Sequence, residues 1–334
     1  MSQDLNIYRC PKCKGSLINI ATRPCLICES CGVDYPIYKN TPILIDEESS
    51  VFRVDKIINQ DHAGLANSKA HSNAILNIGY YFVKLMIRIT PTLYSKGRAI
   101  EIARIFLKKI NELAGQKITV LSIGNGTGGL IFNELKNNPR FNLIETDIYM
   151  APNRMFVSDI QQIPLDSQSV DVVLVEGVLE HVLDPFLAVS EIHRVLRPEG
   201  LVLSTTPFIL GVHMEIADYS RFTRLGLLKL FQKFQPVECG VIEGAFVALS
   251  YQISCVFMTI AASITFGNSG AIKFAKYAGN FFIFWLKYID LLTRENPISQ
   301  DSAVNLFYIG RKIEKGISDI NINADFSGYG ICPK

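Results

Sequence analysis

The sequence predicts an α/β protein built on a parallel sheet, with a cysteine-rich domain before the sheet and an apolar helical insertion within it. Three observations support this prediction. Short β-rich runs alternate with helix-length segments over residues 118–206, as they do in βαβ units. Two C-x2-C pairs lie within residues 1–48. No charged residue occurs from Gly244 to Ile272. This apolar segment accounts for the positive mean hydropathy of the whole chain, +0.22.

Length and composition restrict the class of protein. The chain has 334 residues, more than the ~250–300 at which one hydrophobic core stops growing, so we expect a main domain with additions. Its 49% hydrophobic residues and net charge of +2 exclude a disordered chain. The same balance lacks the strong positive charge of a nucleic-acid-binding surface, so nucleic acid is not expected as a partner.

Changes of composition along the chain predict four segments. Residues 1–48 form a small cysteine-rich domain, and 49–115 form a helical linker that ends in a lead-in helix. Residues 116–315 form the α/β domain, in which 244–300 are the apolar helical insertion. Residues 316–334 are expected to be a loose tail.

The strands of the α/β domain follow from short runs rich in β-branched residues. The last two predicted strands lie on either side of the insertion in the sequence. Both are expected to pair in the same sheet, so the insertion has to begin and end on the same side of any membrane. We therefore expect a helical insertion before the last strand rather than a membrane-spanning segment. The predicted strands are Ile118–Ile123, Phe141–Thr146, Val170–Val175, Leu201–Thr205, Val237–Ile242 and Ser302–Ile309.

The cysteine pairs predict a structural zinc site. Cys10 and Cys13 form one C-x2-C pair, and Cys28 and Cys31 form a second pair fourteen residues later. Four thiolates at this spacing suit tetrahedral Zn²⁺ and leave no open position for a substrate. Cys25 could also pair with Cys28, but Cys31 with its following glycine completes the better turn. The alternative is a set of unrelated buried thiols.

The cysteines and the run Tyr35–Ile45 that follows them resemble a known zinc-ribbon family. It is the family named for the activator subunit of tRNA and release-factor methyltransferases, and the resemblance covers residues 8–45. This module also occurs fused ahead of bacterial methyltransferases. Thr41 departs from the pattern, because the family usually has glycine there.

A glycine-rich loop follows the first strand of the α/β domain. Gly124, Asn125, Gly126 and Gly128 stand where a strand turns into a helix, which lets a cofactor approach the backbone closely. The loop is not a Walker A motif, since no Lys-Ser/Thr follows it. The glycines fit an S-adenosylmethionine site and a dinucleotide site equally well.

The residues after the loop separate these two possibilities. Together they resemble the class I S-adenosylmethionine-dependent methyltransferases, specifically the type 11 group, over residues 118–207. That group includes the quinone-biosynthesis C-methyltransferases. The resemblance rests on Asp147, Phe156–Ile160, Ile163–Val175, Glu180-His181 and Arg194–Gly200.

The resemblance implies a Rossmann-like sheet of seven strands, S-adenosylmethionine as the cofactor, and a place for each matching side chain. Asp147 could instead cap a helix, and Asp159 could be a turn residue. The implied cofactor-binding residues are Ser122, Gly124, Asn125, Gly126 and Gly128 beside the methionine part, Asp147 at the ribose, Asp159 at the adenine amino group, Ile160 on the adenine face and Glu176 on the floor.

Ser122 departs from the family pattern. The family usually has Asp or Glu there, which receives the ammonium group of the cofactor. A hydroxyl accepts a hydrogen bond but lacks the charge-assisted part. This departure motivates an alternative function, an inactive methyltransferase-like subunit that stabilises a partner.

The acceptor side contributes three predicted catalytic residues: His181, His213 and Tyr219. His181 follows the fourth strand, and residues 213–223 resemble a stretch of methyltransferases often encoded with cell-surface glycan pathways. A neutral imidazole suits proton removal from a hydroxyl. Alternatively, the residues of this stretch only tie their loop to the sheet.

The leading hypothesis is a methyltransferase that uses S-adenosylmethionine and acts on a small-molecule, glycan or lipid-linked intermediate. A nicotinamide-dependent oxidoreductase fits the glycines but leaves the later motifs unexplained. The first fifteen residues carry four charges and no apolar core, so we expect a cytoplasmic protein. The insertion 244–300 is expected to cap the substrate pocket and to present an apolar face to a lipid-linked acceptor, the inner face of the membrane or a second subunit, unless it packs only on its own domain.

Overall fold

A mixed sheet of eleven strands runs through the protein, and helices cover both faces of its central part. The computed structural model describes residues 7–20, 23–59, 85, 87–94, 96–124, 131–151, 154–213, 217–293 and 296–314. The predicted tail 316–334 and residues 60–84 of the predicted linker lie outside the described residues. The strands are β1 Leu17–Asn19, β2 Cys25–Cys28, β3 Asp34–Tyr38, β4 Thr41–Leu44, β5 Ile118–Ile123, β6 Phe141–Asp147, β7 Phe156–Ser158, β8 Val170–Glu176, β9 Leu196–Pro207, β10 Phe234–Glu243 and β11 Asn305–Lys312.

The helices fall between the strands of the α/β domain. Short 3-10 turns at Ile160–Gln162 and Leu179–His181 follow β7 and β8 directly. The named helices are α1 Lys96–Asn111, α2 Phe132–Lys136, α3 Pro185–Val195, α4 Arg224–Leu230, α5 Ala245–Ile264, α6 Ser269–Ile283, α7 Leu286–Thr293 and α8 Pro297–Gln300.

Seven of the strands form the predicted Rossmann-like sheet, in the order β7-β6-β5-β8-β9-β11-β10. The pairs among β7, β6, β5, β8 and β9 are parallel, and β11 is antiparallel to both of its neighbours. The strand order reverses between β5 and β8, and an open sheet binds ligands at such a reversal. The predicted fold class is therefore confirmed.

The number of strands differs from the seven that we predicted, because the N-terminal ribbon extends the same sheet. Strand β4 pairs in parallel with β7, with Ile43 opposite Val157, and β1 to β3 continue outward from it. Periodicity in a sequence indicates strands but not which edges pair, since edge pairing depends on the tertiary arrangement.

Ion pairs also join the ribbon to the α/β domain. Arg9 contacts Asp166 at 2.6 Å, and Lys14 contacts Glu191 at 2.9 Å. The buried ring of Tyr8 packs edge-on against Phe156, with 5.4 Å between ring centroids. The ribbon is thus attached by backbone pairing, aromatic packing and charge together.

The insertion between β10 and β11 is a helical hairpin formed by α5 and α6, with α7 and α8 returning the chain to the sheet. Buried Asp290 on α7 accepts hydrogen bonds from the backbone N–H groups of Gly244, Phe246 and Val247. A carboxylate at a helix N-terminus satisfies donors that have no partner within the helix and complements the helix dipole. The base of the hairpin is therefore fixed to its own domain.

The far end of the hairpin exposes large apolar side chains. Phe266 is 99% exposed and Ile264 is 72% exposed. Among the described residues, α5 is the one helix long and apolar enough to cross a membrane, judged by length and composition alone. Its two neighbouring strands β10 and β11 pair along their length in one sheet, as the sequence required.

Candidate active site

A cleft opens at the carboxyl ends of β5, β6, β7 and β8, where the strand order reverses. It encloses about 490 Å³, including the part open to solvent. Its lining contains apolar walls with a few acidic and histidine side chains. The described lining residues are Val51, Phe52, Ile123, Gly124, Asp147, Ile148, Ser158, Asp159, Ile160, Gln161, Val178, His181, Val182 and Leu183.

Asp147 ends β6 at one side of this cleft. One carboxylate oxygen accepts a hydrogen bond from the N–H of Ile148 at 2.8 Å, and the other pairs with Arg154 at 3.0 Å. Arg154 is buried and also pairs with Glu145. A carboxylate offers about four acceptor positions, so Asp147 keeps capacity for ribose hydroxyls.

Asp159 lies deeper in the cleft and holds a dense set of hydrogen bonds. Its carboxylate accepts from the Ser50 hydroxyl at 2.7 Å and from the backbone N–H of Gln161 at 2.9 Å. The side-chain amide of Gln161 donates to both oxygens at 3.2 and 3.3 Å. An adenine amino group at Asp159 would therefore take the place of one of these donors, most simply the Gln161 amide. The side chain of Ile160 lies beside it as part of the apolar wall.

Gly124 forms the turn after β5 with a φ of +68°, and a Cβ atom there would collide with the side chain of Val178. Only glycine meets both conditions without strain. Asn125, Gly126 and Gly128, which the sequence places in the same loop, lie outside the described residues. Ser122 is buried in β5, one position before Ile123 of the cleft wall, and Glu176 ends β8.

A second group of polar side chains stands at the mouth of the cleft, formed by Glu180, His181 and His213. The two imidazole rings meet edge to face with 5.0 Å between centroids. Oε1 of Glu180 lies 3.8 Å from Nε2 of His181 and 3.7 Å from Nε2 of His213. Burial raises the pKa of Glu180 to about 7, and burial lowers the pKa of His213. The structure thus brings together two of the predicted catalytic residues.

Asp218 and Arg221 hold the loop that carries His213. Asp218 accepts from the backbone N–H of His213 at 2.9 Å, and both of its oxygens pair with Arg221. The hydrogen bond from Arg221 lowers the pKa of Asp218 to about 2. Tyr219, the third predicted catalytic residue, is half exposed, and its backbone N–H donates to the carbonyl of Glu180 at 2.8 Å. The backbone of Tyr219 therefore helps to attach the loop to the segment after β8, and this role is independent of its hydroxyl group.

The apolar insertion contacts the loop that leads to His213. Val247 and Ala248 on α5 pack in one cluster with Ile209 and Leu210, in the loop that leads to His213. Tyr251, one turn further along α5, lies against Gly211. The base of the helical hairpin therefore packs on the loop that leads to His213.

The four predicted zinc ligands form a cluster in the ribbon. All four sulfur atoms of Cys10, Cys13, Cys28 and Cys31 lie within 4.8 Å of one another. The N–H of Gly15 points at Sγ of Cys13 at 3.4 Å, a contact typical of a zinc knuckle. Four converging thiols suit a closed tetrahedral Zn²⁺ site.

Comparisons with known proteins agree with the two parts of the fold. The model of a family described as "Methyltransferase domain" matches residues 121–204. A UPF0434 protein from Nitrosococcus oceani is 40% identical over 48 residues, which are 14% of this chain and 81% of that protein. The chain belongs to the UPF0434 family in its N-terminal domain, and its sheet carries the matched methyltransferase domain.

Two further similarities fall on the methyltransferase domain. The demethylmenaquinone methyltransferase of Chlamydia caviae is 26% identical over 105 residues, and the match covers 28% of this chain and 46% of that enzyme. The chain thus spans less than half the length of this relative. A solved phosphoethanolamine N-methyltransferase 2 from Haemonchus contortus is 16% identical, with a TM-score of 0.40, over 64% of this chain and 53% of that one.

Sequence reasoning missed part of the cleft. Ser50, Val51 and Phe52 follow the UPF0434 domain, far from the methyltransferase motifs, yet Val51 and Phe52 line the cleft and Ser50 contacts Asp159 within it. Gln161 was also missed, although it is adjacent to a predicted residue. The sequence offers no signal for the first three, because their role depends on how the ribbon docks on β7.

Proposed function

We propose that this protein transfers a methyl group from S-adenosylmethionine to a small-molecule, glycan or lipid-linked biosynthetic intermediate. The observation that carries the proposal is the cleft itself, where Asp147 and Asp159 stand at successive strand ends and His181 stands at the mouth. When bound, the cofactor supplies an activated methyl group on a sulfonium ion. The chain supplies the alignment and the exclusion of water that such a displacement needs.

The residues divide the cleft into a cofactor end and an acceptor end. Asp147 has the free acceptor positions to hold ribose hydroxyls, and Ile160 with its neighbours offers an apolar surface to a base. His181 and His213 at the opposite end are the groups that can activate an acceptor hydroxyl. Their position at the mouth, beside the loop that packs on α5, supports an acceptor that arrives from the side of the insertion.

Ligand-induced changes in melting temperature test the cofactor assignment. S-adenosylhomocysteine at a hundredfold excess over its dissociation constant should stabilise the native state by about 2.7 kcal/mol, which raises the melting temperature by several degrees. NAD⁺ at the same concentration should have no effect. Stabilisation by NAD⁺ instead would favour the oxidoreductase, and stabilisation by neither ligand would favour the inactive partner-stabilising subunit.

Transfer of a labelled methyl group tests the acceptor class. The purified protein is incubated with S-adenosylmethionine carrying a labelled methyl group and with the separate aqueous and lipid fractions of a cell extract. We expect label in the lipid fraction, because the apolar hairpin lies beside the acceptor end. Label confined to the aqueous fraction would replace the lipid-linked acceptor with a soluble one.

We further propose that the protein is cytoplasmic and that the α5–α6 hairpin binds the inner face of the membrane. The hairpin exposes Ile264 and Phe266 at its tip, while Lys273 and Lys276 are exposed on α6. Apolar side chains flanked by lysines suit a surface of anionic lipid. In a flotation experiment, vesicles of phosphatidylcholine and phosphatidylglycerol should carry the protein upward. Light scattering on the detergent-free protein measures its molecular mass and so tests the alternative that the hairpin is a dimer interface.

A further inference from the structure

One oxygen of the buried Glu180 carboxylate lacks a hydrogen-bond partner. The residue is 1% exposed, and Oε2 accepts no hydrogen bond from the described part of the chain. The guanidinium of Arg221 donates hydrogen bonds to both carboxylate oxygens of the neighbouring Asp218. Arg221 is therefore directed to Asp218 and not to Glu180. A buried polar atom without a partner is costly, and each case in a folded protein calls for an explanation.

The distances around Glu180 are too long for hydrogen bonds but suit a shared ion. Its Oε1 lies 3.8 Å from Nε2 of His181 and 3.7 Å from Nε2 of His213. Hydrogen bonds between such atoms are about 2.7–3.2 Å long. With metal bonds of about 2.1 Å, neighbouring ligands of a tetrahedral ion stand about 3.4 Å apart. The three ligand atoms lie within 4.8 Å of one another, so small shifts would close them around an ion.

The other nitrogen of each histidine faces an oxygen atom, and only that of His181 makes a hydrogen bond to it. Nδ1 of His181 contacts the carbonyl oxygen of Ala217, which makes Nδ1 the donor and leaves Nε2 free of a proton. Nδ1 of His213 lies 3.5 Å from the carboxylate of Asp218 and makes no hydrogen bond to the described residues. In metal sites, a carbonyl or carboxylate that accepts from one ring nitrogen fixes the imidazole and directs the opposite nitrogen at the metal, as Ala217 does for His181. Both Nε2 atoms face Glu180.

We propose that Glu180, His181 and His213 bind one divalent transition-metal ion at the mouth of the cofactor cleft. Two imidazoles and a carboxylate suit Zn²⁺, Co²⁺, Mn²⁺ or Fe²⁺. Three protein ligands leave a coordination position open for an oxygen of the acceptor, whose deprotonation the ion would favour. That role in methyl transfer rests on the proposed function, whereas binding of the ion does not.

Titration of cobalt into the full-length protein tests the site, with the UPF0434 domain already loaded with zinc. Co²⁺ in a site of histidine and carboxylate absorbs visible light without the thiolate-to-metal charge-transfer bands of a cysteine site. We expect one further equivalent of Co²⁺ with this spectrum. A wild-type protein that takes up no cobalt, or cobalt with thiolate bands only, would overturn the proposal.

Two variants and a control locate the ion. Glu180→Gln keeps the shape of the side chain and removes its charge, and His213→Ala removes one imidazole; each should weaken cobalt binding at least tenfold. His193→Gln changes a half-buried histidine on α3 that contacts the carbonyl of Ile313, and it should bind cobalt like the wild type. Equal cobalt affinity in the wild type and Glu180→Gln, with both proteins folded by thermal melting, would refute the site.

Calorimetry with S-adenosylhomocysteine on the same samples separates this inference from the proposed function. Cofactor binding without cobalt uptake would refute only the metal site. Cobalt uptake without cofactor binding would support the metal site and refute the methyltransferase. We expect the wild type to bind both, and Glu180→Gln to keep its affinity for S-adenosylhomocysteine within about threefold, since the cofactor end of the cleft is unchanged.

Discussion

The UPF0434 domain and the α5–α6 hairpin are both additions to the same sheet, and they differ in how they use their surfaces. The first adds strands at the β7 edge and is held by backbone pairing and ion pairs. The second is inserted beside the opposite edge, between β10 and β11, and is capped at its base by Asp290. Its tip exposes the side chains of Ile264 and Phe266.

The difference indicates separate tasks. The UPF0434 domain uses its contacts within the molecule, and the chain that leaves it places Ser50, Val51 and Phe52 at the cofactor cleft. The hairpin keeps a large apolar surface free within the described structure, which is typical of a surface that meets a partner or a membrane. We therefore expect damage to the first region to impair cofactor binding, and damage to the tip of the second to impair membrane binding while cofactor affinity stays unchanged.

The largest effect should come from Cys10→Ser. Loss of one thiolate should abolish stoichiometric zinc and unfold the UPF0434 domain, because structural zinc contributes about 10 kcal/mol or more to folding. Binding of S-adenosylhomocysteine should then fall at least tenfold, since residues 50–52 lose their anchor. Elemental analysis and calorimetry check both outcomes.

The control for this variant is Cys25→Ser, because Cys25 stands outside the sulfur cluster. It should keep its zinc and its cofactor affinity. Zinc content that is undiminished in Cys10→Ser would contradict the ligand set. Unchanged cofactor affinity after loss of zinc would show that the two domains work independently.

Substitutions at the tip of the hairpin should give the next largest effect, and we expect this effect on membrane binding alone. The double variant Ile264→Ser with Phe266→Ser removes two exposed side chains, each worth about 1.5–3 kcal/mol when buried in an apolar environment. Binding to anionic vesicles should fall about a hundredfold or more, measured by flotation. Ile100→Ser, a half-exposed isoleucine on α1, serves as the control. A loss of S-adenosylhomocysteine affinity in the double variant would contradict the separation of tasks.

Asp147→Asn should weaken binding of S-adenosylhomocysteine by about 1.5–3 kcal/mol, because charge-assisted hydrogen bonds to the ribose are lost. Isothermal calorimetry measures the change. Glu199→Gln removes an exposed acid remote from the cleft and should leave the affinity as it is. If both variants bind like the wild type, the ribose is not held at the end of β6.

The smallest effect is expected for Ser50→Ala, which removes the hydrogen bond between the UPF0434 side of the cleft and Asp159. One such bond contributes about 1 kcal/mol, so cofactor affinity should fall about fivefold. Ser190→Ala, whose hydroxyl accepts a hydrogen bond from Lys233 on the α/β domain, is the control. Tighter binding in Ser50→Ala would mean that Ser50 competes with the adenine rather than ordering the cleft.

The sequence predicted much of the fold because the relevant signals are local. β5 was predicted with the bounds that the structure gives, and β6 and β8 to within one residue, since short β-rich runs between helical segments leave few alternatives. The cysteine spacing predicted the sulfur cluster for the same reason, since the two pairs lie close in the chain. The domain boundaries and the roles of the individual site residues stay predictions.

What only the tertiary structure decided involves residues that are distant in sequence. The pairing of β4 with β7 turned seven strands into eleven and brought Ser50 to Asp159. The loop at Asp218 brought His213 to Glu180 and His181, a group that no spacing rule connects. Composition alone showed an apolar segment after Gly244. The exposure of the hairpin tip depends on which faces of α5 and α6 pack against the rest of the protein. A pattern in sequence fixes what each segment can bury; the packing of distant segments decides what is buried and what remains exposed.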